Sequence, residues 1–360
     1  MKDRGVCKRR AIHVPDWSDG NPYQGLLAQA LARRGWNVTF KDYGQGPLPL
    51  VEILRRENDV EVIHIHWLAP YLARAMWSSS KLRLYIKTFL LISDVVLCRL
   101  MGCRVVWTVH NLCSHESSDT QRERWIRKKL SKVVSHKIFH SESARQSFGK
   151  QIASVDNRRS SIIPHGNYIG VYPESEDILK SLRSRLCVPV GHRVILFFGA
   201  VRRYKGLGDL ITAFRQSSAS DLRLVIAGNP MDRELREDLE ETAQLDDRII
   251  LYLKFIPEEE VAPLHRLADL VVIPFKEIFT SGSVLLAMSL SKPVALPRNA
   301  EQVGILQGGH GLSYTNSVEL LDIINRAGSQ GHRAIAEKNY LAAKHCCWAR
   351  IGEATAGTYR

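Results

Sequence analysis

The chain has 360 residues, 45% of them hydrophobic, with 50 Lys and Arg against 37 Asp and Glu and a formal net charge of +13. Its length exceeds what one core usually fills and its composition excludes a disordered chain, so two globular domains are expected. Seven cysteines without a C-x-x-C pair argue against a disulfide framework or zinc ribbon and fit a reducing compartment.

The charge is unevenly divided. Residues 1–170 hold 27 Lys and Arg against 14 Asp and Glu, whereas residues 171–360 hold 23 of each. The first half is therefore expected to meet something anionic: nucleic acid, a membrane surface or a phosphorylated acceptor, against the plainer reading of a basic surface with no partner. The start, MKDRGVCKRRAIHVPDW, is basic but has no apolar segment behind it, so it does not read as a secretory signal.

Apolar runs alternate with amphipathic stretches from end to end, the pattern of β-α-β units and parallel sheets. In the first half, strands are predicted at AIHVP, NVTFKDY, VEVIHIHW, CRVVWTVH, HKIFHS and SSIIPHG. Between the first two, NPYQGLLAQALARRG reads as a helix with Asn21 as N-cap, Pro22 at the first helical position and Gly35 as stop. The most apolar stretch, LRLYIKTFLLISDVVLCRLMGCRVVW, is interrupted by Lys87, Asp94 and Arg99, so no run reaches the ~18 residues that span a bilayer. From Lys81 to Arg104, the cations Lys81, Arg83, Lys87 and Arg99 stand beside Leu84, Phe89, Leu90, Leu91 and Leu97. Such a segment either seats a helix among lipid headgroups or supplies a core helix. His64 and His66 alternate on their strand and so share a face, but a third ligand at recognisable spacing is missing and no metal site is expected.

GNYIGVYPESED has the Gly, Pro and charge of a linker, which sets the boundary near residue 170. Beyond it, strands are predicted at HRVILFFGA, LRLVIAGN, RIILYLKF, DLVVIPF and PVALP, with DRELREDLEETAQL a solvated helix. The expected architecture is α/β: two doubly wound domains facing across a cleft.

In such sheets ligands bind beyond the carboxyl ends of strands, where helix N-termini present their N–H groups. Two turns in the second half stand out. In FFGAVRRYKGLGDLITAF the strand ends at Gly199, the loop carries Arg202, Arg203 and Lys205, and Gly206 opens a helix. Three cations at that place suit a diphosphate; a basic surface loop is the plainer alternative. In KEIFTSGSVLLAMSLSKPVALP, Glu277 lies in the turn and Thr280, Ser281, Gly282 and Ser283 open the helix SVLLAMSL. Small residues there let an anion approach the helix N-terminus, and Glu277 and Thr280 suit sugar or ribose hydroxyls; ordinary N-capping by Thr280 or Ser281 is the alternative. Cation loop, hydroxyl acceptor and anion nest together imply a sugar nucleotide.

These motifs, in this order, resemble a GT-B glycosyltransferase, the two-Rossmann class that includes glycosyltransferase family 4, and within it the bacterial exopolysaccharide and lipid-linked oligosaccharide members. FFGAVRRYKG is similar to the family's loop of Gly followed six residues on by Lys-Gly; LRLVIAGNP, HRLADLVVIPF and AMSLSKPVALP follow in the family's order. NPYQGLLAQAL, IHIHW, WTVHN and IIPHGNY match a narrower subgroup. Leu286 and Ala200 depart from the pattern: the broad family has Glu at the first and Arg at the second, with Arg202 the substitute here. Glu277 is thus the remaining carboxylate of the motif, and the stereochemical course does not carry over.

The resemblance implies an acceptor-binding domain over 1–170, a nucleotide-sugar domain over 171–345 and a terminal helix over 346–360 that crosses back. It implies transfer of a hexose from a UDP-, GDP- or ADP-sugar to a lipid-linked saccharide in surface polysaccharide synthesis, with no metal or other cofactor, at the cytoplasmic face of a membrane. Arg202, Lys205 and the N–H groups of Ser281–Ser283 would neutralise the diphosphate. His110 matches the histidine that family members place beside the transferred sugar; it is the first candidate for donor positioning or proton transfer, Asp19 the second. Asn21, His115 and Glu116 lie on loops of the same domain and are placed on the acceptor side. The rivals are a non-catalytic sugar-nucleotide-binding partner, for which Leu286 speaks, and a GT-B epimerase; no nucleic-acid module is recognisable.

Overall fold

The structure, a computed structural model, describes residues 9–78, 80–114, 119–275, 279, 281–301, 304 and 306–360. The chain divides into two compact units, one of Met1–Gly166 with Cys347–Arg360 and one of Asn167–Cys346.

In the first unit six strands form a parallel sheet: β1 (Arg9–Val14), β2 (Trp36–Phe40), β3 (Val60–Ile65), β4 (Arg104–Thr108), β5 (His136–Phe139) and β6 (Ser160–Ile162), in the order β2-β1-β3-β4-β5-β6. Each coincides with a predicted run. β-Branched residues suit a sheet covered on both faces, and Ile12, Val62, Ile63, Val105 and Val106 are buried. The helix Pro22–Ala32 begins as expected, Asn21 Oδ1 accepting from the Tyr23 N–H at 3.1 Å. One core cluster joins Leu27 and Leu31 of this helix and Ile351 and Ala356 of the helix Trp348–Thr358 to Val62, Val106 and Ile138 of the sheet. The two helices touch closely: a Cβ on Gly352 would lie 2.7 Å from the Ala30 Cβ, so a larger residue there would push them apart.

The second unit also holds a six-stranded parallel sheet: β7 (Arg193–Phe198), β8 (Leu222–Ala227), β9 (Ile249–Tyr252), β10 (Leu270–Val272), β11 (Val294–Pro297) and β12 (Leu312–Tyr314), in the order β12-β11-β10-β7-β8-β9. Three residues of edge strand at β12 were not predicted, because GLSY is too short to show a period.

Both orders reverse direction once, between β1 and β3 and between β7 and β10. At such a switch point the crossover helices leave on opposite faces and open a crevice beyond the strand ends. The sites lie there.

Candidate functional site

In the second unit, β7 gives way at Gly199 to a short 3-10 turn, Arg203–Lys205, and the helix Leu207–Arg215. Gly206 joins turn and helix at φ +71°, and a Cβ there would collide with the Pro274 carbonyl oxygen, so only glycine fits. This close approach sinks Lys205 inward: it is 8% exposed, with its ammonium 4.8 Å over the Phe275 ring. Burial first, and the Arg202 charge second, lower the Lys205 pKa to about 8. A Cβ on Gly199 would lie 3.5 Å from Ser283 Oγ and 3.8 Å from Lys205 Nζ. Strand end, ammonium and helix thus enclose one small cradle, which the missing side chain at Gly199 leaves open.

Ser281 is the N-cap of the helix Gly282–Ser289, its Oγ accepting from the Val284 N–H at 3.3 Å. The amides of Gly282 and Ser283 lie in the first turn, beyond the reach of intrahelical acceptors. Arg203 pairs with Glu234 at 3.1 Å and Asp238 at 2.9 Å, while the Arg202 guanidinium donates to the Val201 carbonyl at 2.9 Å. Leu286 is buried in the core, so the position where the broad family has Glu is used here for packing. Glu277 and Thr280 lie outside the described residues, as do His115 and Glu116.

In the first unit the strand ends carry histidines. His13 and His64 are register partners on β1 and β3; His66, His110, His140 and His165 follow β3, β4, β5 and β6. His110 lies 3.4 Å, Nε2 to Nδ1, from His66, and Trp67 stacks on its ring at 5.0 Å with planes 16° apart. Tyr23 meets His110 edge-on at 5.2 Å, and Trp17, 44% exposed, stacks on Trp67 at 4.6 Å. The chain after His110 is anchored by a buried ion pair: Arg127 holds Glu123 at 2.7 Å and donates to the Asn111 carbonyl, while Glu123 accepts from the Ser114 N–H. Asp19 is exposed in the turn after β1, and Asn21 spends its side chain on capping.

His13, His140, Tyr23, Trp17, Trp67 and Tyr359, whose hydroxyl lies 2.9 Å from His13 Nε2 and 2.7 Å from His64 Nδ1, belong to this cluster and escaped the sequence reading. His13 is the third histidine beside His64 and His66, contributed from the neighbouring strand. The signal was present, since five of the six predicted strands carry His at or near their carboxyl ends. It shows only when the strands are laid side by side.

Burial holds these rings neutral. It lowers His13 to about 3, His140 to about 4 and His165 to about 3, and holds His64, His66 and His110 well below the ordinary imidazole range, with neighbouring rings adding to the effect on the last three. Between about 6.5 and these values the unfolded chain binds more protons than the folded one. The stability is therefore fully present above about pH 6.5 and drains as pH falls towards 4. Urea unfolding should show a midpoint dropping steeply between pH 7 and 5, with uptake of several protons; a flat midpoint would contradict neutral burial.

Residues 23–167 match the family described as Glycosyltransferase Family 4, and residues 192–327 the one described as Glycosyl transferases group 1. A GDP-mannose:glycolipid 4-beta-D-mannosyltransferase of Xanthomonas campestris is 29% identical over 250 residues, 69% of this chain and 64% of that protein. A D-inositol 3-phosphate glycosyltransferase of Corynebacterium efficiens is 27% identical over 174 residues, 43% of this chain and 41% of that one. In both, the aligned part spans less than two thirds of the relative's length. Among solved structures, HepE of Anabaena in complex with UDP and glucose is similar with a TM-score of 0.73 at 16% identity, covering 97% of this chain and 98% of that chain. Sucrose-phosphate synthase of Thermosynechococcus elongatus has a TM-score of 0.73 at 17% identity, covering 98% of each. At these identities the likeness establishes the fold. The two family matches span most of each unit, and the paired six-stranded parallel sheets are the GT-B fold of these neighbours, so the chain has the GT-B fold and is similar in both units to glycosyltransferases of the family 4 type.

Proposed function

We propose that this chain transfers a sugar from a nucleoside-diphosphate sugar to a glycolipid, with mannose from GDP-mannose the first donor to try. The observation that carries the reading is the convergence of Lys205, Gly199 and Ser283 at the β7/β10 switch point, a cradle of diphosphate chemistry in a chain of this fold. Arg202, Lys205 and the amides of Ser281–Ser283 stabilise the leaving diphosphate, the role a metal ion has in other classes. The donor choice rests on the Xanthomonas relative, whose name gives GDP-mannose and a glycolipid.

His110 takes the proton of the attacking acceptor hydroxyl, with Asp19 the alternative. Trp17 and Trp67 offer stacked rings beside it, a surface suited to a sugar face. The reaction is a single displacement that inverts the anomeric centre: such a step needs one base, and Leu286 fills the place of a carboxylate in the broad family's retaining motif. Of GDP-mannose, UDP-glucose and ADP-glucose, each incubated with a polyprenyl-diphosphate-linked oligosaccharide in detergent, GDP-mannose should give GDP release and a β-linked mannoside. Binding of nucleotide without turnover of any donor would instead indicate a non-catalytic partner.

The lipid acceptor is met at a membrane surface. The helix Lys81–Leu100 buries Leu91, Val95 and Cys98 and exposes Leu82, Tyr85, Ile86, Phe89, Leu97 and Leu100. Beside it, the helix Thr120–Val133 exposes Arg124, Lys128, Lys129 and Lys132. An apolar stripe flanked by cations suits the headgroup region of anionic lipid, and among the described residues no helix is long and apolar enough to cross a membrane. Replacing Leu82 and Phe89 together by Ser should leave the melting temperature unchanged and weaken binding to vesicles containing phosphatidylglycerol about 100-fold, from about 3 kcal/mol of lost burial. Unchanged vesicle binding would remove the membrane assignment.

A further inference from the structure

The rings behind His110 form a continuous hydrogen-bonded series. His110 Nε2 meets His66 Nδ1 at 3.4 Å, and His66 Nε2 meets His13 Nδ1 at 3.2 Å. His13 Nε2 meets the Tyr359 hydroxyl at 2.9 Å, that hydroxyl meets His64 Nδ1 at 2.7 Å, and His64 Nε2 meets Thr108 Oγ1 at 2.7 Å. Except for His110 at its outer end, every member is buried. Tyr359 belongs to the segment after Cys347, whose side chain enters the sheet's switch point from the far end of the sequence.

A neutral imidazole donates through one nitrogen and accepts at the other, and a phenol bridging two rings donates to one and accepts from the other. The direction at one end therefore sets every tautomer along the series. Where Thr108 accepts from His64 Nε2–H, His64 Nδ1 accepts from Tyr359; where Thr108 donates to His64 Nε2, His64 Nδ1–H donates to Tyr359 and every bond beyond it is reversed. In the first case Tyr359 accepts from His13 Nε2–H, His13 Nδ1 from His66 Nε2–H, and His66 Nδ1 from His110 Nε2–H; in the second all four rings carry the proton on Nδ1. Either way the four rings share one tautomer, and that of His110 is set by the rings behind it.

We infer that His66, His13, Tyr359, His64 and Thr108 act as one set of positioning residues that holds His110 in the single tautomer all four rings share. This rests on His110 being the base of the proposed transfer, but the tautomer is measurable without any substrate. A metal is the competing use of the same side chains, since one nitrogen from each of His13, His64 and His66 lies within 4.8 Å of the others. All six nitrogens of those three rings already have hydrogen-bond partners, however, and a metal would break several of these bonds.

The test uses the full chain labelled with 15N-histidine. All four rings should show the same single tautomer, and Tyr359→Phe, which keeps the ring and removes the hydroxyl, should return His64 and His13 to tautomer mixtures. GDP release from GDP-mannose should fall at least about tenfold in kcat in that variant with KM unchanged, and Thr108→Ser should recover the turnover that Thr108→Val loses. Mixed tautomers in the parent chain, or a Tyr359→Phe spectrum identical to the parent, would overturn the inference. So would stoichiometric Zn2+ binding that His64→Gln abolishes. Full turnover by His110→Ala with the four tautomers intact would instead defeat the reading of His110 as base and leave the ordered series standing.

Discussion

Lys205→Met should abolish transfer while raising the melting temperature of the unliganded chain. The two effects have one cause. Lys205 is an ammonium taken out of water and set over Phe275, with no carboxylate among the described residues that shift it and a second cation, Arg202, that opposes its charge. Its pKa of about 8 lies below the ordinary ~10.4 of lysine. Between those values the unfolded chain binds the proton more readily, so stability rises with pH through that window, and below pH 8 the whole cost is present. At pH 7 the cost is of the order of 3 kcal/mol. Methionine keeps most of the buried stem and removes the charge, so the second unit should gain several degrees, at about 2–4 °C per kcal/mol for a unit of this size.

In the proposed reaction the same charge would meet a diphosphate, whose arrival would restore the partner that burial took away. Loss of one such fixed group typically lowers turnover by about 10²–10³-fold, and the rise in melting temperature that GDP gives the parent should disappear. A variant that melts lower than the parent and is still stabilised by GDP would place the diphosphate elsewhere.

Strand positions were legible in the sequence because a parallel strand buried on both faces must be apolar over four or more residues. VILFF and LVVIP admit no other reading once Gly and Pro bound them. The cation loop was legible for a similar reason: Gly199, Lys205 and Gly206 are constraints of backbone and charge that a linear spacing records. The resemblance chose Arg202 over Arg203, but the ion pairs that occupy Arg203, with Glu234 and Asp238 on a helix some thirty residues away, show only in the fold. The histidine series was lost for a stronger version of that reason. Its members come from β1, β3 and the segments around β4, and Tyr359 lies 295 residues beyond His64. Only the strand order β2-β1-β3-β4, which no local pattern encodes, brings them to one place.

His110→Ala should lower kcat by about 10²–10⁴-fold, the usual contribution of a general base, and leave stabilisation by GDP unchanged. The ring is the outermost of the cluster and keeps partial exposure, so truncating it costs the first unit little of its core. What it removes is a neutral imidazole clamped between Trp67 and Tyr23, with His66 behind it. Burial first, then the nearby His140 and His165, hold its pKa well below the ordinary value, so the base form persists into acid. An exposed histidine would impose an acid limb near pH 6.5 on kcat/KM. For His110 that limb should lie lower, leaving the rate level from pH 7.5 down to 6 and falling only where the unit itself begins to unfold. A limb at 6.5 in the parent chain, with the fold intact by circular dichroism, would show that the proton is taken by a solvated group, and Asp19→Asn would then be the variant to compare.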